Sequence, residues 1–164
     1  WLWAPANFDD VSSHLYFVDD EEGRATHSHC VEQKDNQSSI LSSLTKEIHY
    51  YEGTRRISKA KFSAMKRDKT EVVWSLKPKY HIYMCGLGYM HPEWGHGMYH
   101  GEQKSFYDSY DLSEDPHDPP FLHIQAICHF EMKENDTTTK GLGVLEQLLI
   151  GPHIPSGFES LLDR

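Results

Sequence analysis

The sequence predicts an all-β protein, an antiparallel meander closed as a barrel or packed as a sandwich. Two observations carry that prediction. Apolar and polar residues alternate in short runs along most of the chain, the period-2 signature of strands with one buried face. Polar or glycine-bearing breaks separate the runs at short spacing, and no run reaches the length or the 3.6-residue repeat that a helix needs. At 164 residues the chain fits one domain, long enough to bury roughly two thirds of its unfolded surface without a metal or disulfide.

Residues 1–10, WLWAPANFDD, read as a lead-in segment in which aromatics anchor and Pro5 and Asn7 turn the chain. From Ser13 to Val18, Leu15 and Phe17 alternate with His14 and Tyr16, which makes a strand. The acidic turn Asp19 to Gly23 joins it to a second strand, about Arg24 to Gln33, so the pair forms a hairpin. Lys34 to Ser43 is polar, rich in serine and read as a loop. Strands are then expected at about Lys46 to Tyr51, Ile57 to Met65, Glu71 to Lys77 and Lys79 to Leu87, with a break at Pro78. Gln103 to Asp111 is a further expected strand, and the three prolines of SEDPHDPP keep that segment out of any sheet interior. Phe121 to Met132 alternates most clearly. It sets Leu122, Ile124, Ala126, Cys128, Phe130 and Met132 against His123, Gln125, Ile127, His129 and Glu131. Asn135 to Lys140 turns, Gly143 to Ile150 is a final buried strand, and a short helix over Phe158 to Leu162 closes one end.

Composition removes several function classes. A formal charge of −9 with no basic face argues against a nucleic-acid partner. The basic residues between Arg55 and Lys69 are framed by Glu52, Asp68 and Glu71, as on a solvated strand face. Three cysteines, Cys30, Cys85 and Cys128, cannot all pair and show no C-x-x-C spacing, which points to a reducing compartment, expected to be the cytoplasm, or simply to buried thiols. No run approaches the ~18 apolar residues of a membrane span. The opening Trp1-Leu2-Trp3, without an initiator methionine, reads as a domain taken from a longer protein.

The stretch from Gly86 to Glu102, GLGYMHPEWGHGMYHGE, is the candidate site. Its glycines and Pro92 specify a backbone shape, and it concentrates titratable and aromatic groups. His91, Glu93, His96, His100 and Glu102 could supply metal ligands, with His27 and His29 as a further pair, but the spacing lacks the helical H-E-x-x-H and matches no metal signature. Acid/base chemistry is the second candidate role. Glu93, partly desolvated beside Trp94, would deliver a proton near neutral pH, and His91 or His96 titrates there unaided. Third, Tyr89, Trp94 and Tyr99 could wall an apolar cavity, joined by His100, Glu102, His123 and His129 if those side chains face inward. Nucleophilic catalysis has little support: there is no G-x-S-x-G, no phosphate-cradling glycine motif and hence no cofactor signature, and Cys85 sits where a strand thiol is inert.

The run Gly88-Tyr89-Met90-His91-Pro92-Glu93-Trp94-Gly95 resembles the G-Y-x-D-H-x-W-G segment of the AttH and carotenoid 1,2-hydratase group, the hydroxyneurosporene synthase-like proteins. It is closer still to a branch with G-Y-x-H-P-E-W-G-H-G. The opening W-x-x-x-N-F-D-D and the late G-L-G-V-L-E-Q-x-x-I-G-P-H are similar to flanking segments of that branch. The resemblance implies a lipocalin-like barrel, the second of two such domains, with a companion N-terminal domain and a hydrophobic ligand, isoprenoid or lipid-like, inside or between them. It also implies protonation of a double bond and then addition of water. Tyr89, Trp94 and Gly95 match the motif, whereas His91 and Pro92 stand where the hydratases carry Asp-His, so Glu93 or His91 would have to supply the acid. The alternatives are a metal-dependent enzyme using His91, His96 and His100, and a non-catalytic accessory domain.

Overall fold

A computed structural model describes residues 1–84, 91–95, 97–107, 109 and 122–163. Within them, eight antiparallel strands close into a barrel in simple sequential order: β1 (Leu2–Asn7), β2 (Val11–Asp19), β3 (Ala25–Lys34), β4 (Gln37–Tyr50), β5 (Ile57–Met65), β6 (Glu71–Tyr83), β7 (His123–Glu134) and β8 (Thr137–Leu148). Strand β1 pairs with both β2 and β8, so the sheet has no free edge where it would otherwise begin and end. No helix among the described residues is long and apolar enough to cross a membrane.

Alternation fixes which face turns inward. Along β7, Ile124, Ala126, Cys128, Phe130 and Met132 are buried, and β6 contributes Val72, Trp74 and Leu76. Together with Leu15, Phe17, Phe62 and Leu145 these fill the middle of the barrel, with Trp74 and Phe62 wholly buried. The waist is therefore a packed core, and open space remains at the two ends. One end carries the β1–β2, β3–β4, β5–β6 and β7–β8 turns and is called the turn end. The other, the tail end, carries the β2–β3, β4–β5 and β6–β7 connections and the chain after β8.

Several elements differ from the sequence expectation. The lead-in segment is strand β1: Leu2, Ala4 and Ala6 face the core while Trp3 and Pro5 face out, so large side chains sit on the wrong side for the pattern to be obvious. Lys34 to Ser43 is not a loop. A two-residue turn at Asp35 and Asn36, both with positive φ (49° and 60°), reverses the chain, and β4 starts at Gln37. Pro78 does not end a strand. Lys79 is an extra residue opposite the Cys128–Ile127 step, a bulge that absorbs the missing amide and lets β6 run on to Tyr83. The turn expected over Asn135 to Lys140 is as short as Asn135-Asp136, and β8 begins at Thr137. Gln103 to Tyr107 is not a strand, and the rest of that expected element, but for Ser109, lies outside the described residues. Phe158 to Leu162 is not helical; a helical turn stands earlier in the tail, at Ile154–Ser156.

Cys30 and Cys128 are free and buried, and burial pushes both thiols up to about 12, which leaves them inert core residues. Cys85 lies outside the described residues.

Candidate functional site

Strand β6 ends and β7 begins at the tail end, so the central loop leaves and re-enters the barrel there. The tail after β8 returns across the same end. Arg55, only 4% exposed, holds it: Nε donates to the Asp163 carbonyl (2.7 Å), Nη1 to that of Gly151 (2.8 Å) and Nη2 to that of Ser160 (3.0 Å), with a further contact to the Asp163 carboxylate. Its guanidinium also lies 4.2 Å from the centre of the Phe158 ring. Buried Gln147 supports this arrangement from β8, accepting from the Ile57 amide (3.0 Å) and donating to the Arg55 carbonyl (2.8 Å).

Under the tail is a chamber of about 340 Å³, walled by Leu2, Phe17, Ile48, Tyr50, Leu149 and Phe158. Polar groups converge on one side of it. Tyr50 Oη is 3.0 Å from Ser156 Oγ, which is 2.7 Å from His153 Nδ1. His153 Nε2 stands 3.5 Å from Asp19 Oδ2, and this buried nitrogen has no hydrogen-bond partner among the described residues. Lys46 Nζ donates to Asp19 Oδ1 (2.7 Å) and lies over the Phe17 ring. Burial raises the Tyr50 phenol above its ordinary value, assisted by the Asp19 charge and opposed by the Ser156 hydrogen bond and Arg55. The other side of the rim carries His81 and Tyr83, with Arg56 Nη1 donating to Tyr83 Oη (3.1 Å). Burial, helped by the Arg56 charge, holds His81 below the usual histidine range.

The residues expected from the sequence fall into three groups. His91, Trp94 and His100 come together with Phe106: the Trp94 ring lies 4.1 Å from that of His100 and 5.1 Å from that of Phe106, and His91 meets Phe106 at 4.9 Å. His91 Nδ1 accepts from the backbone amides of Glu93 (3.1 Å) and Trp94 (2.8 Å), so it organises the turn. His100 Nε2 is buried without a hydrogen-bond partner among the described residues. Glu93, Tyr99 and Glu102 form the second group, exposed on the loop surface; Glu93 is not desolvated by its neighbour Trp94. In the third group are the β7 histidines, on the outer wall of the barrel. His129 is exposed, and His123 lies 3.2 Å from Glu146 and edge-on to Trp1. Tyr89 and His96 lie outside the described residues. Among the described residues no group of three or more His, Cys, Asp or Glu is placed to hold a metal ion.

Asp19, Lys46, Tyr50, His81, His153 and Ser156 were not singled out by the sequence. Their sequence separation hides the cluster, and only the G-P-H of the tail, beside a clamped turn, hints at it. No curated protein and no solved structure matches the chain. Residues 1–159 match a family described as a family of unknown function, DUF8625, and the chain belongs to that family.

Proposed function

We propose that the barrel binds a hydrophobic small molecule, isoprenoid or lipid-like, in the tail-end chamber, and that Tyr50, Ser156 and His153 handle protons at its polar end. The observation that carries this reading is a hydrogen-bonded chain of three titratable or hydroxyl groups facing the apolar wall of Leu2, Phe17, Ile48, Leu149 and Phe158 across one chamber. With Nδ1 accepting the Ser156 hydroxyl proton, His153 carries its own proton on Nε2, facing Asp19. A ligand hydroxyl or carbonyl that reaches Nε2 completes the partnership this nitrogen lacks. Tyr50, its phenol kept protonated at neutral pH, feeds the chain from the other side. Such a relay suits proton delivery to, or removal from, an apolar substrate, the chemistry implied by the likeness to the carotenoid hydratases. On the sequence motif alone, His91, Glu93 and His96 are further candidates for handling protons.

Titration of the protein with geraniol, a short isoprenoid alcohol, tracked by NMR, tests this. Saturable shifts at Ile48, Tyr50 and Leu149 are expected. Ile48→Trp fills the chamber and should abolish them, and Ser156→Ala, which no longer fixes the His153 proton on Nε2, should weaken binding by up to about tenfold. Shifts that persist unchanged in Ile48→Trp would overturn the assignment.

A second reading, a packing face for a companion domain of a longer chain, is favoured by a different observation. Tyr80, Ile82, Ile127 and Leu142 are exposed on the outer wall of the neighbouring strands β6, β7 and β8. If that face packs against a companion, Ile127→Lys should release the barrel from the longer protein after limited proteolysis, and an unchanged fragment pattern would count against it.

A further inference from the structure

The turn end of the barrel holds a larger space, about 810 Å³, remote from the tail-end chamber. Its inner walls are Val11, Leu41 and Met132, and its charged lining includes Glu32, Lys66 and Glu134. Glu32 is the anomaly. It occupies an inward position of β3, two residues on from buried Cys30, and is only 6% exposed. A carboxylate there needs compensation, since a buried charge without partners is among the most unfavourable groups a fold can hold.

The compensation is incomplete. Lys66 Nζ reaches Glu32 Oε2 at 3.3 Å but sits closer to Glu134 Oε1, at 2.7 Å, so one ammonium serves two carboxylates. Lys34, at the next inward position of β3, is paired with Asp10 at the rim. Among the described residues the buried Glu32 Oε1 has no hydrogen-bond partner, and neither has the Oγ of Ser13, its cross-strand neighbour on β2, which is 3% exposed. Burial accordingly pushes the Glu32 carboxyl above the ordinary glutamate range, with the Lys66 charge pulling against it.

The orphaned Glu32 oxygen describes a missing donor, and a lining of five carboxylates against three cations makes that donor positive. A metal ion is a poor candidate because no trio of His, Cys, Asp or Glu among the described residues is placed to ligate one. An ammonium needs only what is present: a carboxylate oxygen without a donor, with apolar surface beside it for a carbon chain.

We propose that the turn-end chamber is a binding site for a small organic primary amine, whose ammonium pairs with the Glu32 carboxylate while its apolar part lies against Val11, Leu41 and Met132. The site stands at the opposite end from the His153 cluster and does not depend on that cluster's role.

Hexylamine hydrochloride, 1-hexanol and sodium hexanoate, titrated separately into the full chain by calorimetry with NMR mapping, distinguish charge recognition from simple filling of an apolar space. Hexylammonium should bind saturably, with shifts at Val11, Glu32 and Met132. Hexanol should bind at least tenfold more weakly and hexanoate weaker still. Glu32→Gln keeps the shape and removes the charge, and should reduce hexylammonium affinity by at least tenfold with an unchanged circular dichroism spectrum. Should Glu32→Gln fail to fold, Thr139→Trp fills the chamber from β8 with Glu32 in place, and should abolish binding. Equal affinity for amine and alcohol, binding unaffected by the substitution that folds, or no amine binding at millimolar concentration would each overturn the proposal.

Discussion

His153 Nδ1 lies 2.7 Å from Ser156 Oγ, and the contact is built by the backbone. The Ser156 amide donates to the His153 carbonyl (3.0 Å), and Gly157, with φ of 74°, ends the turn in a left-handed conformation with its amide on the Ile154 carbonyl. Because Tyr50 shares the Ser156 hydroxyl, their effects should not add. Tyr50→Phe and Ser156→Ala should each cost about 1 kcal/mol, and the double variant little more than either alone. Urea unfolding of the four proteins in the cycle measures this; full additivity would show that the two hydroxyls are not partners.

Arg55 should be the single most sensitive polar residue of the tail end. Removing a buried guanidinium that serves three carbonyls and a carboxylate leaves those acceptors without donors. Arg55→Met is expected to cost about 3 kcal/mol. Lysine should rescue only part of this, since its ammonium cannot reproduce the planar fork. The loss should be local as well as global: amides of Gly151, His153 and Phe158, bonded within the tail or to it, should exchange faster with solvent before the barrel unfolds.

Much of the barrel was legible because buried and exposed residues alternate at a period that only a strand satisfies. Phe121 to Met132 names the inward face of β7 correctly, position by position from Ile124. What was hidden depended on the backbone. A turn as short as Asp35-Asn36 cannot be distinguished from the polar strand beyond it, because β4 begins with exposed Gln37, Ser38 and Ser39. Pro78 signals a break wherever a bulge is not foreseen. The loop motif was readable as an organised segment, and His91 does organise it, but through two amides of its own turn. By contrast the Asp19–His153–Ser156–Tyr50 cluster joins three separate stretches of chain. No period or spacing reports it, since barrel closure alone brings β2 and β4 together with the tail.

Gly143 should tolerate no side chain. A Cβ there would stand 2.3 Å from the Pro5 carbonyl oxygen and 2.8 Å from both the Ala6 Cα and the Phe130 ring, so the β1 backbone and a core aromatic would have to move. Those atoms belong to the β1–β8 seam that closes the barrel. Gly143→Ala is expected to destabilise by about 2–3 kcal/mol through overpacking, seen as a lowered urea midpoint with unchanged slope. A neutral outcome would mean that the seam is wider than described.

Acid should weaken the outer wall beside that seam, through Glu146. Burial pulls this carboxyl upward. Hydrogen bonds from Gln125 Nε2 (2.6 Å) and Trp1 Nε1 (3.1 Å), with His123 at 3.2 Å, outweigh it and hold Glu146 below its ordinary value. A carboxylate depressed in the folded state binds its proton less readily there than in the unfolded chain. Its contribution is therefore fully present above the unfolded value of about 4.3 and is lost as pH falls through the lower folded one. Glu146→Gln removes that dependence. The variant should be less stable than the parent at pH 7, and the gap should close on acidification below pH ~4.3. Urea midpoints measured across that range decide it: a gap that stays constant, or widens in acid, would show that Glu146 holds β1, β7 and β8 together by shape and not by charge.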